Sequence, residues 1–434
     1  MRARMVVLVV FLLLGCSARH QGGGDGSLPP LTAVGTRDAI GYRVLYRFQG
    51  GVDGLEPSTS LTRIDGALYG TTEGGGSSGC HRFGCGTVFK IDPSGHERIL
   101  YRFTGNTDGA GPVGQLAYED GVLYGTTDAG GTAGGCQSQG CGTVFAASLT
   151  GQERILFRFP GGKGGWSPNG GVIMLHGVLF GTTQFGGQAS DCINECGTVF
   201  SLHESGEERV LHYFHGGHDG FLPQGSLVAI RGSLFGTTLS GGRGWPGGLG
   251  CCGSVFSVST SGDERILYPF YRAPDDGAVL FGSVVDVRGM LYGTTQTGGK
   301  TPKSNYRCGS GCGTIFVVDQ SGKEQTIYRF KGAPDGKSPE GTLIWDGHRF
   351  YGTTLQGGST DNAVCDGGCG TIFSITPSGK EQILYRFQGG SDGSNPGGSL
   401  LLANGMLYGI TEGGGGTTAC RGGCGTVFAL KVAP

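Results

Sequence analysis

Paired cysteines are the residues of this sequence whose type and spacing most clearly predict chemistry. The 434-residue chain has 15 cysteines, and all except Cys16 fall in pairs inside glycine-rich stretches. We predict that the pairs form seven local disulfides, because an exported chain meets an oxidising compartment. The alternative is zinc, which needs four ligands and therefore two pairs that converge from neighbouring loops. The pairs are Cys80/Cys85, Cys136/Cys141, Cys192/Cys196, Cys251/Cys252, Cys308/Cys312, Cys365/Cys369 and Cys420/Cys424.

Cys251 and Cys252 depart from the common spacing because they are adjacent in the chain. A disulfide between neighbouring residues closes a tight ring around a distorted peptide bond. The sequence leaves two states open for them, a bonded pair or two free thiols.

Histidines and aspartates supply the other possible metal ligands. The stretch "HYFHGGHD" places His215, His218 and Asp219 on one loop, as candidate ligands for zinc or copper or as solvated side chains. One carboxylate per loop makes a poor calcium site, whereas Asp-Gly is ordinary turn chemistry. We therefore predict turns, and no cofactor, at the six equivalent Asp-Gly positions, which are Asp53, Asp108, Asp219, Asp276, Asp335 and Asp392.

A recurrent proline precedes the residues that we expect at the mouth of a central channel. The side chains that follow this position are Ser58, Val113, Asn169, Gln224, Phe281, Glu340 and Gly397. They predict a polar funnel with one carboxylate, suited to a neutral ligand such as a sugar. Glycoside hydrolysis needs two carboxyl groups at the bond, so no catalytic residue is predicted. The candidate ligand-binding residues are Ser58, Asn169, Gln224, Glu340, Trp166, Phe221 and Trp245.

These residues recur because the chain is a tandem array. The motif "YGTT" or a variant of it begins at Tyr69, Tyr124, Phe180, Phe235, Tyr292, Tyr351 and Tyr408, so the period is 55 to 59 residues. A second motif, "YRF" or a relative, also occurs seven times. A unit of this length cannot bury a core alone and must stack on its neighbours.

Each period contains four short strands, which we call a to d, separated by turn sequences. Tight turns join a to b and c to d, as in "EDG" and "PSGHE". We predict an all-β, seven-bladed β-propeller of four-stranded antiparallel blades, in preference to a parallel β-helix, whose period is shorter. The array opens with an unpaired d strand near Tyr42 and finishes with a c strand that lacks its d. Pairing the two would close the ring.

Strand direction then determines on which face of the disc each turn and loop lies. The short a–b and c–d turns must share one face, and the long b–c and d–a loops must share the other. We therefore expect the cysteine pairs and the Asp-Gly turns on one face. Because loops held by a rigid scaffold commonly carry binding residues, that face is the predicted working surface.

The first residues predict export and anchoring. "MRARMVVLVVFLLLGC" has a basic start and an apolar run too short to span a bilayer, and it ends like the lipobox of bacterial lipoproteins. We expect a signal peptide at 1–15, a lipidated tether at 16–39 with the lipid on Cys16, and the propeller at 40–434. A net charge of -2 argues against a nucleic-acid partner.

The array resembles the GloVer tandem-repeat family, in which such repeats are joined to one of several cell-surface anchors. The resemblance is carried by "LYGTT", a Gly-Gly pair such as Gly130-Gly131, "GCGTVF" and "LYRF" in the same order seven times. It implies surface or periplasmic placement and no assigned activity.

The combined expectation is a monomeric, membrane-anchored lipoprotein of the periplasm or cell surface. Its predicted role is to bind a glycan or a protein through the loop face. The alternatives are a purely structural surface role, or a hydrolase or lyase with its site at the funnel.

Overall fold

The repeated motifs form seven sheets of four strands each. The computed structural model describes residues 41–57, 60–80, 83–131, 136, 140–188, 192, 196–242, 252–271, 276–299, 311–359 and 365–432. Every sheet is antiparallel, and within it the strands follow the order a, b, c, d. The prediction of a seven-bladed β-propeller is confirmed.

Blade 7 takes its d strand from the start of the array, and blades 1 to 3 follow it along the chain. The strands are β1 (Tyr42–Arg47), the d strand of blade 7; in blade 1, β2 (Thr62–Ile64), β3 (Ala67–Thr72), β4 (Thr87–Ile91) and β5 (Glu97–Arg102); in blade 2, β6 (Ala110–Glu119), β7 (Val122–Ala129), β8 (Thr143–Ser148) and β9 (Glu153–Arg158); in blade 3, β10 (Ile173–Leu175), β11 (Val178–Thr183), β12 (Thr198–His203) and β13 (Glu208–Tyr213).

The remaining blades repeat the pattern, and blades 5 and 6 each add a two-stranded pair. The strands are, in blade 4, β14 (Phe221–Ile230), β15 (Ser233–Ser240), β16 (Ser254–Ser259) and β17 (Glu264–Pro269); in blade 5, β18 (Gly277–Ala278), β19 (Val285–Val287), β20 (Met290–Thr295), β21 (Thr297–Gly298), β22 (Thr314–Asp319) and β23 (Glu324–Arg329); in blade 6, β24 (Gly336–Lys337), β25 (Ile344–Trp345), β26 (Phe350–Thr354), β27 (Gln356–Gly357), β28 (Thr371–Ile375) and β29 (Glu381–Arg386); in blade 7, β30 (Leu401–Ala403), β31 (Met406–Thr411) and β32 (Thr426–Lys431).

Helical structure in the described residues is limited to four single turns of 3₁₀ helix. They lie in d–a loops, at Gly51–Asp53, Gly162–Gly164, Gly217–Asp219 and Gly390–Asp392. None of the helices in the described part of the chain has the length and apolarity needed to cross a bilayer.

The two ends of the array close the ring. β1 pairs antiparallel with β32, from Tyr42 opposite Leu430 to Arg47 opposite Thr426, and it completes the sheet that begins with β30. Closure removes the bare edge that an open array would present. The predicted pairing of the two termini is confirmed.

The glycine of "YGTT" is required by an aromatic ring on the next strand. Gly125 is paired with Phe145 of strand c, and a Cβ atom on Gly125 would lie 2.5 Å from the Cζ atom of Phe145. The same contact occurs at the equivalent glycine of each other blade. The glycine therefore leaves the space that the phenylalanine of "GTVF" occupies.

That phenylalanine joins neighbouring blades. It packs edge-to-face against the phenylalanine that directly follows the d strand of the preceding blade, and both rings are buried in every pair. Each fully buried Phe contributes about 1.5–3 kcal/mol, so these contacts form the main apolar core. The pairs, with centroid distances, are Phe48–Phe89 (5.2 Å), Phe103–Phe145 (5.1 Å), Phe159–Phe200 (5.2 Å), Phe214–Phe256 (5.1 Å), Phe270–Phe316 (5.0 Å), Phe330–Phe373 (5.2 Å) and Phe387–Phe428 (5.4 Å).

The long loops share one side of the disc, as strand direction requires. Leu55 of a d–a loop forms an antiparallel bridge with Gly74 of the b–c loop in the same blade, and Trp166 pairs with Phe185 in the same way. The b–c and d–a loops therefore lie together on one side. We call this side the cystine face.

Candidate functional site

The disulfides of the cystine face lie at the joints between blades. The predicted pairs Cys80–Cys85, Cys136–Cys141, Cys192–Cys196, Cys365–Cys369 and Cys420–Cys424 are bonded, with Cα–Cα distances of 5.0–5.4 Å. Cys252 and Cys312 are also disulfide-bonded. Cys16, Cys251 and Cys308 lie outside the described residues.

The second cysteine of each pair forms a backbone hydrogen bond with the loop that leads into the next blade. Cys369 is fully buried, and its carbonyl accepts the backbone N–H of Asn395 in the following d–a loop at 2.9 Å. Asn395 has a φ angle of 55°, and the equivalent residue of every other junction also has a positive φ and donates to the matching cysteine carbonyl. The disulfides thus stabilise the blade contacts as well as the loops.

The aspartates of the d–a loops close turns. Asp335 accepts the backbone N–H of Lys331 at 2.9 Å and the hydroxyl of Tyr328 at 3.0 Å. Matching bonds are made by Asp53, Asp108, Asp276 and Asp392. At these positions the carboxylate stabilises the turn, as the Asp-Gly sequence predicted.

A central cavity of about 630 Å³ is lined by the a strands of the blades. The predicted residues Asn169, Gln224 and Glu340 line it. Because each a strand starts at the cystine face, these polar side chains lie toward that face. Residues within the a strands, such as Ile344 and Leu401, make the opposite end apolar.

Phe221 and Trp166, two other predicted ligand-binding residues, do not line the cavity. Phe221 is only 8% exposed and packs in an apolar cluster of blades 3 and 4. Trp166 stacks on Phe185 in the loop pair, with ring centroids 4.4 Å apart. Ser58 and Trp245 fall outside the described residues.

The cavity is lined by two carboxylates in addition to the single one that the sequence predicted. Glu73 and Glu412 join Glu340 on the wall. Glu73 follows the "TT" of strand b and Glu412 follows the equivalent "IT" of blade 7, whereas only strand a was expected to reach the channel. The sequence signal is the variation among blades at the residue that follows the second threonine of the motif: Glu73, Asp128, Gln184, Leu239, Gln296, Leu355 and Glu412.

Burial perturbs the acidity of these carboxyl groups. The pKa of Glu412 is raised to about 8, mainly by desolvation and then by the nearby charges of Glu340, Glu73 and Glu56. Desolvation also raises the pKa of Glu340 to about 6, although a hydrogen bond from Gln296 opposes the shift. At neutral pH Glu412 is mainly a protonated donor and Glu340 mainly an ionised acceptor.

Two buried polar groups on the cavity wall have no hydrogen-bond partner among the described residues. They are the Nε2 atom of Gln224 and the Oγ atom of Ser283, whose residues are 4% and 3% exposed. Buried polar groups are normally paired with protein, water or a ligand. The unpaired Gln224 amide is the feature of the wall that most directly indicates a ligand.

Polar residues two positions further along the chain than the predicted channel residues connect the blades. The hydroxyl of Thr342 accepts the backbone N–H of Ser283 at 2.9 Å, and that of Ser399 accepts the N–H of Thr342 at 2.9 Å. Ser60 accepts the N–H of Ser399 at 2.8 Å, which links blade 7 to blade 1. These side chains hold the ring together at its centre.

The histidine-rich loop brings together a different set from the one considered in the sequence. The side chains of His215 and His218 are exposed, and the backbone N–H of His215 donates to Asp219 at 2.6 Å. His212 of β13 and Glu264 of β17 approach Asp219 instead.

Several solved structures are similar to this chain at low identity. They include the tricorn protease (12% identity, TM-score 0.39, 82% of this chain and 28% of that one) and a prolyl endopeptidase (14%, 0.45, 84% and 47%). A PQQ-bound aldose sugar dehydrogenase from Streptomyces coelicolor is also similar (14%, 0.42, 90% and 97%). The chain thus spans less than half of each of the first two proteins. No curated protein matches it in sequence.

One family model covers most of the chain. The Gloeobacter/Verrucomicrobia repeat matches residues 13–138, 132–365 and 246–434. These segments contain every copy of the "YGTT" and "YRF" motifs, as the GloVer resemblance implied. The chain therefore belongs to the Gloeobacter/Verrucomicrobia repeat family.

Proposed function

We propose that this protein is an extracytoplasmic binding module that takes a hydroxyl-rich ligand of the glycan class into its central cavity. The ligand enters from the cystine face, where the polar end of the cavity lies. The observation that carries the proposal is the buried Nε2 atom of Gln224, which has no hydrogen-bond partner in the described part of the chain. It lies on a wall that also holds Asn169, Glu340 and Glu412.

The chemistry of this wall suits hydroxyl groups. A hydroxyl both donates and accepts, and amide side chains offer both functions. A protonated Glu412 adds a donor and an ionised Glu340 adds an acceptor. A concave site with a few convergent polar groups also favours a small ligand over a protein surface.

The proposed location is outside the cytoplasm, with the lipid on Cys16 as the membrane anchor. The disulfides of the cystine face support an oxidising compartment. The lipobox-like sequence supports the anchor. Changing Cys16→Ser is expected to move the protein from the membrane fraction to the soluble exported fraction, and unchanged fractionation would contradict the anchor.

A glycan array tests the ligand class. The oxidised protein that lacks residues 1–40 is applied to the array, and each hit is then titrated against the wild-type protein and two variants. We expect Gln224→Ala to weaken binding about ten-fold, equivalent to about 1.4 kcal/mol. Gln325→Ala, which changes an exposed glutamine on β23, should have no effect. Absence of any glycan hit, or equal affinities for both variants, would contradict the proposal.

Acid–base catalysis at the same cavity is a second candidate. The observation that favours it is the difference in pKa between two carboxyl groups of the cavity, about 6 for Glu340 and about 8 for Glu412. Such a difference is how enzymes assign a base and an acid to two like groups. Array hits incubated with the protein should then yield products by mass spectrometry, and Glu412→Gln should stop the reaction. Intact hits would exclude turnover of those glycans.

A further inference from the structure

One junction between blades differs chemically from the rest. At five junctions a tyrosine of strand d donates its hydroxyl to the loop aspartate, as Tyr328 does to Asp335. At another, Phe157 and Gly164 replace both partners. Only between blades 3 and 4 is the aspartate kept while a histidine, His212, stands in the tyrosine position.

The histidine faces two carboxylates. The Nε2 atom of His212 lies 3.3 Å from the Oδ1 atom of Asp219, and one ligand atom each of His212, Asp219 and Glu264 lie within 4.8 Å of one another. The side chains of His212 and Asp219 are 14% and 18% exposed. The three residues come from β13, the following d–a loop and β17.

Two of these ligand-type atoms are buried without a hydrogen bond. They are His212 Nε2, whose approach to Asp219 does not have hydrogen-bond geometry, and Glu264 Oε1, which has no partner among the described residues. The other oxygen of Asp219 accepts the backbone N–H of His215 at 2.6 Å, which fixes the orientation of the carboxylate. Such outer bonds commonly orient metal ligands.

We propose that His212, Asp219 and Glu264 bind a zinc ion that links blades 3 and 4. One imidazole and two carboxylates are zinc ligands, and three protein ligands leave a fourth position for water. Calcium takes oxygen ligands, so the imidazole disfavours it. The site lies in the outer strands, apart from the central cavity, and does not depend on the proposed glycan function.

Titration with zinc chloride tests the site. The oxidised protein that lacks residues 1–40 is first treated with chelator and then titrated by calorimetry. We expect one equivalent to bind and the melting temperature to rise with zinc, because the ligand binds only the folded state. His212→Tyr should weaken binding at least 100-fold and abolish this rise. It should also fold, because tyrosine occupies the same position at five other junctions.

Two control variants separate this set from other histidines. His348→Tyr changes an exposed histidine of an a–b turn, and His215→Ala changes the exposed loop histidine. Both should bind one equivalent of zinc. Binding that survives in a folded His212→Tyr protein, or that is lost in His215→Ala but not in His212→Tyr, would overturn the assignment.

Because the blades repeat, the same three-residue site can be built at another junction by one substitution. The hydroxyl of Tyr328 lies 3.0 Å from Asp335 and 3.4 Å from Glu381, which occupy the positions of Asp219 and Glu264. Tyr328→His should therefore bind a second equivalent of zinc. A folded Tyr328→His protein that binds only one equivalent would show that the arrangement is not sufficient, and would also overturn the assignment.

Discussion

At the residue scale, the last three positions of the "YGTT" motif have identifiable physical tasks. The glycine receives the phenylalanine ring of strand c. The first threonine donates across the blade contact, as Thr126 does to the carbonyl of Gly170 at 2.9 Å. The second is buried against a hydroxyl of strand c, as Thr127 is against Thr143 at 2.9 Å. The glycine and the second threonine recur because all seven blades have these two contacts, whereas blade 7 has Ile410 in place of the first threonine.

The glycine contact can be tested by adding one methyl group. Gly125→Ala places a Cβ atom 2.5 Å from the Cζ atom of Phe145, so overpacking should lower the free energy of unfolding by about 1–3 kcal/mol. Urea unfolding measures this loss. In a Phe145→Leu background the same substitution should cost less, because the ring is gone. Equal costs in both backgrounds would contradict the assigned contact.

A second residue-scale prediction concerns carboxyl groups at the outer strands. Glu97, Glu208, Glu324 and Glu381 each begin a d strand, and burial raises the pKa of each to about 7. The unfolded value is about 4.3. Because the folded state binds more protons between these two values, the stability that these groups contribute should be fully present below the unfolded pKa and lost as the pH rises through about 7.

Adjacent glutamates provide the matched test of that pH dependence. Glu208 is half-buried at the start of β13, whereas Glu207 is exposed in the preceding turn. In zinc-free buffer, Glu208→Gln should reduce the pH slope of the unfolding free energy by up to about one proton. Glu207→Gln should leave the slope as it is in the wild-type protein. A slope unchanged by Glu208→Gln would contradict the assigned pKa shift.

At the element scale, the cystine loops are joints between blades. The disulfide fixes a cysteine carbonyl, and the next d–a loop donates to it from a residue with positive φ. The d–a loop then pairs with the b–c loop of its own blade, as Glu412 does with Asn395 through a backbone bond of 3.0 Å. This chain of bonds explains why cysteines lie in glycine-rich segments.

Removing one disulfide should loosen one joint. For Cys365→Ala with Cys369→Ala we expect a loss of about 2 kcal/mol, because the bonded loop is short. Hydrogen exchange should accelerate at the amide of Asn395, whose acceptor is the Cys369 carbonyl. The same change at Cys420 and Cys424 should expose the amide of Glu56 instead. Protection that persists at Asn395 would contradict the role of the joint.

At the scale of the whole molecule, the seven joints and the paired termini form one closed ring. The sequence was sufficient to predict the blade number, the closure and the shared face of the loops, because each follows from counting strands and alternating their direction. Glu340 was predicted on the cavity wall, but the two further carboxylates were not, because Glu73 and Glu412 reach the channel from the end of strand b. Their exposure to the cavity depends on how that loop bends, which strand parity does not specify.

Closure of the ring predicts that the stability of the protein depends strongly on β1. Removing residues 1–40 should leave the melting temperature unchanged, whereas removing 1–48 deletes β1 and the fully buried Phe48. The shorter protein should melt at a much lower temperature and aggregate through the freed edge of β32. Calorimetry and gel filtration measure both effects. A monomer of unchanged stability would contradict the closed ring.

The central claim is that ligand binds at the acidic wall of the cavity, and the pH dependence of affinity tests it most directly. Between pH 7 and pH 9.5 the wild-type protein should lose about ten-fold in affinity for an array hit, because Glu412, with a pKa of about 8, changes from donor to charged acceptor. Glu412→Gln keeps an amide donor and should show no such loss, while Glu207→Gln should follow the wild-type curve. Parallel curves for wild type and Glu412→Gln would contradict the account.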